Sequence, residues 1–165
     1  MHVGGSRHRA AMGTARKYFE DVAVGMRWER QAPRFTQERI VSFAREFDPV
    51  PMHIDEAAAR ASYFGGLIAS GAHLFAVWRR VNFDIYTELN LAIIAGAGFD
   101  VLRLRHPVRP GDLLTLRSEI AEKVNLPGKA DRGLLHSQET MTNQDGTVVM
   151  SMRGSCFVLR RPADA

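Results

Sequence analysis

Cysteine is nearly absent from this chain of 165 residues, in which Cys156 is the only one. A single cysteine excludes an internal disulfide framework and fits a reducing compartment, so we expect a cytoplasmic protein. The apolar neighbours Phe157 and Val158 indicate a packed strand residue rather than a reactive thiol. Sets of Cys and His with metal-ligand spacing are also missing, so we expect no metal site.

Long hydrophobic runs are missing as well. No stretch approaches the ~20 apolar residues that a membrane span needs, and the N-terminus lacks the apolar core of a secretory signal. Acidic residues are absent from the first nineteen positions. The net charge of +4 equals that of the four basic residues there: Arg7, Arg9, Arg16 and Lys17. We therefore predict a flexible basic tail over residues 1–16, one domain over 17–165, and no nucleic-acid partner.

The chain does contain an acid and an imidazole around two prolines. Asp48 and His53 are five residues apart, with Pro49 and Pro51 between them. Because proline fixes φ and disfavours helix, we expect a stiff, bent loop that holds both titratable side chains in one geometry. A carboxylate beside an imidazole is suited to general acid–base catalysis. The alternative on spacing alone is a helix-terminal carboxylate and an ordinary loop histidine.

Several helices are predicted around this loop. Thr36 is expected to cap a helix over Gln37–Phe47. Its apolar stripe comprises Ile40, Val41, Ala44 and Phe47. Asp55 is expected to cap a short Ala-rich helix that Gly65 and Gly66 end. Ser70 is expected to cap a long apolar helix over Gly71–Leu89, whose first backbone N–H can receive an oxyanion.

Extended segments make up most of the remaining sequence. Trp28–Phe35 carries Pro33 and is expected to lie at a sheet edge or to carry a bulge. Four longer runs alternate apolar and polar residues: Phe99–His106, Leu113–Val124, Leu134–Asn143 and Thr147–Arg160. The turns at Pro110-Gly111 and Asp145-Gly146 predict that the strands on either side are antiparallel neighbours. Three histidines are expected to be hydrogen-bonded packing residues: His73, His106 and His136. The predicted class is α+β, with one sheet wrapped around the long helix.

The proline loop and the segment after it resemble the MaoC-like dehydratases, the family that includes (R)-specific enoyl-CoA hydratases. The family pattern is Asp, then Asn-Pro, then His five residues after the Asp, then Asp, and later Ala-His-Gly. The matching residues here are Asp48, Pro51, His53, Asp55, Phe64-Gly65-Gly66 and Ala69-Ser70-Gly71. Val50 stands where the family usually has Asn, and Ser70 where it usually has His.

This resemblance implies a hot-dog fold of about five antiparallel strands around one helix. It also implies a homodimer or dimer of dimers, with sheets joined edge to edge. The implied activity is that of a lyase of fatty acid metabolism, an enoyl-CoA hydratase or 3-hydroxyacyl-CoA dehydratase in which Asp48 and His53 activate water. The implied substrate contacts are Ser70, Gly71, Val50 and Gly66. The substrate would be an acyl-CoA or acyl-carrier thioester, with no cofactor. Two alternatives are a non-catalytic acyl-thioester-binding or assembly subunit and a hot-dog acyl-CoA thioesterase.

Overall fold

The fold is a five-stranded antiparallel sheet that packs on one long helix. The computed structural model describes residues 15–163. Its helices are α1 (Gln37–Phe47), α2 (Pro51–Ile54), α3 (Glu56–Ala61) and α4 (Gly71–Glu88), besides a single 3-10 turn at Phe19–Asp21. Its strands are β1 (Arg27–Gln31), β2 (Ile93–Leu104), β3 (Thr115–Asn125), β4 (Arg132–Thr142) and β5 (Val148–Leu159), in the order β1-β3-β4-β5-β2. The predicted α+β hot-dog architecture is confirmed.

The core lies between α4 and the inner face of the sheet. On β3 the alternation is as predicted, because Leu116, Ser118 and Ile120 are buried whereas Arg117 is exposed. The inner residues of α4 that pack on this face include Leu74, Val77, Trp78, Val81 and Ile85. Strands β4 and β5 form the predicted hairpin through Asp145-Gly146, where Gly146 has a φ of +79°.

The hairpin predicted at Pro110-Gly111 is wrong. Strands β2 and β3 lie far apart in the sheet, because β2 pairs with β5 and β3 pairs with β1 and β4. The segment between β2 and β3 packs instead on two loops, one just before α4 and one just before α1. The N–H of Ala69 donates to the Val108 carbonyl (2.8 Å), and the N–H of Phe35 donates to the Asp112 carbonyl (2.9 Å).

Strand β2 also departs from its prediction. It begins at Ile93 rather than Phe99, and its pairing with β5 is interrupted by three register shifts. The last shift spans Asp100–Arg103 and contains Val101 at a φ of +55°, an unusual conformation for a β-branched residue. Leu102 and Leu104 are exposed because β2 lies at the edge of the sheet, but Leu104 is paired with the buried Met150 and so lies on the inner face.

The helical segments follow their predicted caps more closely. The Thr36 side chain accepts from the Arg39 N–H (3.3 Å), and Asp55 Oδ1 accepts from the Ala58 N–H (2.7 Å). Ile40 and Ala44 are buried as predicted, but Phe47, the last residue of α1, is 62% exposed, with its ring tilted against that of Phe43 at 4.9 Å.

The stretch around the prolines is not a loop throughout. Residues Pro51–Ile54 form α2, with Pro51 at its first position, where the missing N–H costs no hydrogen bond. The Ala-rich helix α3 ends at Ala61, before the two glycines expected to end it, because the Ser62 hydroxyl binds the Ala59 carbonyl (2.7 Å).

Two further predictions concern the edge strand β1 and the N-terminal tail. The short strand β1 lies at a sheet edge, as predicted, and ends two residues before Pro33. Most of the predicted tail, residues 1–14, lies outside the described residues, so its boundary stays a prediction. None of the helices within residues 15–163 is long and apolar enough to cross a membrane.

Candidate active site

Three helix ends bring Asp48, His53 and Ser70 together. Asp48 ends α1, where its N–H donates to the Ala44 carbonyl (2.9 Å), and its side chain is about one-third exposed. His53 lies in the short helix α2, and Ser70 is the N-cap of α4. Both of these residues are buried. The proline-directed turn between α1 and α2 therefore places the carboxylate and the imidazole beside the first turn of the central helix.

Ser70 has two partners. Its hydroxyl donates to Asp48 Oδ2 (2.6 Å) and accepts from the Ala72 N–H (3.1 Å). The capping role was predicted from the sequence, but the bond to Asp48 was not. Ser70 therefore fixes the position of the Asp48 carboxylate relative to α4.

The tautomer of His53 follows from its backbone partner. Nδ1 lies 2.8 Å from the Ile68 carbonyl oxygen. Because a carbonyl only accepts, Nδ1 carries the proton, and Nε2 of the neutral ring keeps a free lone pair. Nε2 lies 3.8 Å from Asp48 Oδ2, too far for a direct hydrogen bond. One water oxygen at about 2.8 Å from each atom fits between them.

A largely apolar cavity of about 280 Å³ adjoins His53. Its lining includes Phe64, Ile68, Leu74, Leu104 and Val108, together with Gly71. The Gly71 N–H has no hydrogen-bond partner among residues 15–163. Leu104 packs closely over this glycine, since a Cβ at Gly71 would lie 2.4 Å from Leu104 Cδ1. The cavity thus joins the imidazole to an unpaired amide at the start of α4.

Three of the four predicted substrate contacts, Ser70, Val50 and Gly66, lie outside the cavity lining, and so does Asp48. Val50 is the exposed N-cap of α2, and its N–H donates to the Asp48 carbonyl (2.8 Å). Gly66 lies beneath Arg109, whose Nη1 would be 3.2 Å from a Cβ there. Arg109 also donates to the Phe64 carbonyl (2.7 Å), which holds the loop that forms one cavity wall. Substrate contact by Val50 and Gly66 stays a prediction.

The three other histidines within residues 15–163 differ in their surroundings. His136 Nδ1 pairs with Ser155 Oγ (2.7 Å), in agreement with the predicted packing role. His106 is exposed and lines the cavity, so its predicted packing role is wrong. His73 is buried, but its Nδ1 has no partner among the described residues, so the predicted hydrogen bond is wrong. Its ring stacks on Phe43 at 4.5 Å.

Replacing His73 by Leu should make the protein less sensitive to acid. Burial and, to a smaller extent, the charge of Arg39 lower the pKa of His73 from 6.5 to about 4. A lowered pKa means that this group stabilises the fold above pH 6.5, and that the stabilisation is lost as pH falls towards 4. The full shift corresponds to at most about 3 kcal/mol of unfolding free energy. Urea unfolding of both proteins between pH 7 and 4 measures the difference, and parallel pH dependences would contradict it.

Metal and thiol chemistry have little support in the described part of the chain. No group of three or more His, Cys, Asp or Glu side chains there is placed to hold a metal ion. Cys156 lies in β5, and burial raises the pKa of its thiol to about 11, so it is a packed strand residue as predicted.

Fold and site together define a hot-dog protein with an acid and an imidazole beside the N-terminus of its central helix. The chain belongs to the MaoC-like domain family, whose model, described as MaoC like domain, matches residues 19–139. The crystal structure of the MaoC-like dehydratase from Rhodospirillum rubrum is 40% identical, with a TM-score of 0.80, over 88% of this chain and 99% of that one.

Two further relatives are more distant. The uncharacterized protein YdeM of Bacillus subtilis is 28% identical over 144 residues, which cover 86% of this chain and 98% of YdeM. The (R)-hydratase from A. caviae involved in PHA biosynthesis is 19% identical, with a TM-score of 0.66, over 83% of this chain and 97% of that one. At that identity the likeness is one of fold alone.

Proposed function

We propose that the protein is a hydratase–dehydratase that adds water reversibly to the conjugated double bond of an enoyl-CoA or related acyl thioester. The observation that carries the proposal is the 3.8 Å separation between Asp48 Oδ2 and His53 Nε2, beside a cavity that also reaches the Gly71 amide. A water held by both side chains would lie beside His53, which lines the cavity proposed for the acyl group.

The geometry supports a balanced addition. The Asp48–His53 pair accepts one proton from the bound water as its oxygen bonds to Cβ, and it returns one proton to Cα. The electrons of the double bond move onto the thioester carbonyl, which carries enolate charge during the step. The Gly71 N–H, at the positive end of the 18-residue helix α4, is an unpaired donor for that charge. The reverse sequence expels water from a 3-hydroxyacyl thioester.

The alternatives are separated by one substrate panel. Purified protein is mixed with α,β-unsaturated acyl-CoA thioesters of increasing length, and the absorbance of the conjugated bond and the release of free thiol are followed together. Loss of absorbance without thiol release is the expected result. Thiol release would identify a thioesterase instead. Tight binding with neither signal would identify a non-catalytic subunit, and would overturn the proposal.

We also propose a homodimer joined through β2. The outer edge of this strand has no partner strand within residues 15–163. Exposed apolar side chains follow it: Ile94, Phe99, Val101, Leu102 and Leu104. The opposite edge strand, β1, is short and carries Arg27, Glu29 and Arg30, which discourage pairing. The apolar edge is therefore the better candidate for a joint between two copies, with Leu104 next to the candidate site.

Light scattering at micromolar concentration should report a dimer, or a dimer of dimers, for the wild type. The substitution Val101→Lys should shift the oligomeric state towards monomer. It places a charge on the unpaired edge of β2, at a residue that is 65% exposed. Lysine tolerates the positive φ there better than valine, so the monomer fold should survive. Val24→Lys, in the exposed turn before β1, is the matched control. A monomeric wild type would contradict the assignment.

A further inference from the structure

Tyr63 stands almost entirely in solvent beside the cavity. It is 98% exposed, whereas the next most exposed large apolar residue within residues 15–163, Val101, is 65% exposed. The neighbouring Phe64 lines the cavity, and the two aromatic rings meet edge to face with their centroids 5.5 Å apart. Tyr63 therefore lies at the rim of the cavity, with its ring outside the core.

The loop that carries Tyr63 is fixed on both sides of this residue. The Ser62 hydroxyl, which binds the end of α3, accepts from the Phe64 N–H (3.2 Å). The Gly65 N–H donates to the Ser62 carbonyl (3.0 Å), and the φ of +64° at Gly65 is one that glycine adopts without strain. Because the backbone is already held in place, little entropy is lost when a ligand packs on the Tyr63 ring.

A second part of the rim is basic. Residues 101–111 contain Arg103, Arg105, His106 and Arg109 but no acidic residue. None of these three arginines forms an ion pair with any residue that the structure describes. Arg105 and His106 line the cavity itself. The uncompensated positive charge at this part of the rim favours a ligand with anionic groups.

Arg109 connects the basic segment to the loop of Tyr63. Its Nη2 donates to the carbonyl of Phe64 (2.7 Å), and its Nη1 would lie 3.2 Å from a Cβ at Gly66. Asp112 accepts from the Arg109 backbone N–H (2.8 Å) but not from its guanidinium. Since a guanidinium has five N–H donors, most of them are left for a phosphate group. A cation and an exposed aromatic ring thus occur together at the rim.

The cavity is too small for a whole CoA thioester. Its volume of about 280 Å³ is at the lower end of the range of roughly 300–1,000 Å³ that holds drug-sized ligands. It accommodates a short acyl group and the thioester carbonyl, so the rest of the substrate lies at the rim. In CoA that remainder ends in a diphosphate, a ribose phosphate and adenine, whereas the arm of an acyl carrier has one phosphate and no base.

We propose that the substrate is a CoA thioester whose adenine stacks on Tyr63 and whose phosphates bind Arg109. The inference rests on the proposed function, because that function places the thioester at Gly71 and the acyl group in the cavity. Aromatic side chains stack on the faces of bases, and a guanidinium binds a phosphate through two parallel hydrogen bonds. Tyr63 would therefore distinguish a CoA thioester from an acyl-carrier thioester.

Three thioethers test the inference independently of catalysis: S-butyl-CoA, S-butylphosphopantetheine and S-butylpantetheine. None of them can be hydrated or hydrolysed. Calorimetry on the full chain should show that the CoA thioether binds at least about fivefold more tightly than the phosphopantetheine thioether, because only CoA carries a base. Equal affinities for these two ligands would overturn the inference.

Two variants of Tyr63 separate stacking from other contacts. Tyr63→Ala should weaken binding of the CoA thioether at least about fivefold and leave the other two affinities unchanged. Tyr63→Trp keeps an aromatic face and should bind the CoA thioether at least as tightly as the wild type. An unchanged affinity for the CoA thioether in Tyr63→Ala, or an equal loss for all three ligands, would contradict a stacking role.

Arg109→Gln tests the phosphate contact. Glutamine retains a donor for the Phe64 carbonyl but not the charge, so binding of both phosphate-bearing thioethers should weaken while that of the pantetheine thioether should not. Arg117→Gln is the matched control and should bind all three ligands as the wild type does, because Arg117 lies on β3 and pairs with Glu29 (2.6 Å) away from the cavity. An equal loss for all three ligands in Arg109→Gln would assign Arg109 to holding the loop and contradict its contact with phosphate.

The binding comparison and the hydration assay fail separately. Failure of hydration on every thioester would overturn the proposed function, while the three thioethers would still decide whether Tyr63 recognises the base. Hydration of CoA and pantetheine thioesters with the same KM would leave the proposed function intact and overturn this inference.

Discussion

Asp48→Asn is expected to lower kcat for hydration by at least roughly a hundredfold, with little change in KM, because it removes one member of the acid–base pair. The asparagine amide fills the same space as the carboxylate, and its oxygen can still accept from the Ser70 hydroxyl. In the wild type this hydroxyl lies 2.6 Å from Asp48 Oδ2. The amide cannot take up a proton, and it lacks the charge of the carboxylate. Steady-state kinetics on an enoyl-CoA thioester measures the change.

The matched control for this variant is Asp55→Asn. Asp55 lies seven residues further along the same segment, and its side chain caps α3 through the Ala58 N–H. Asparagine caps helices about as well as aspartate, so this variant should retain the wild-type kcat and stability. Equal activity of Asp48→Asn and Asp55→Asn would show that Asp48 takes no part in the proposed proton transfer.

His53→Ala is expected to lower kcat by a similar factor, again at least roughly a hundredfold, since it removes the imidazole proposed to hold the attacking water through Nε2. The acyl group gains most of its affinity from the apolar cavity, so KM should change little. Kinetics over a range of substrate concentrations separates the two parameters.

Truncation of a buried histidine also leaves the Ile68 carbonyl without its donor, so a second variant is needed. His53→Gln retains an N–H in the same region but no imidazole, and it should be as inactive as His53→Ala. His136→Ala, on a histidine that pairs with Ser155 away from the cavity, should keep its activity. If His53→Gln is active, the role of His53 is to hold the loop at Ile68, and it does not transfer a proton.

Local signals in the sequence predict much of this site. The caps at Thr36, Asp55 and Ser70 are short-range features, and each forms with the partner that its spacing predicts. Such predictions succeed because both partners lie within a few residues of each other.

Long-range pairings are harder to predict. The turn at Pro110-Gly111 has a hairpin composition, yet β2 pairs with β5, about fifty residues further along the chain. The Ser70–Asp48 hydrogen bond joins residues 22 apart, and it forms only because α1 ends where α4 begins. The exposure of Leu102 and Leu104 also depends on a distant pairing, because β2 lies outermost in the sheet.

Hydration in water enriched in heavy oxygen tests the central claim most directly. An enoyl-CoA thioester is incubated with the wild type, and the products are analysed by mass spectrometry. The account predicts that the heavy oxygen appears in the hydroxyl group at Cβ of an intact thioester, and that Asp48→Asn forms this product at least roughly a hundredfold more slowly. Heavy oxygen in a free carboxylate, with CoA released, or an intact and unlabelled substrate would contradict it.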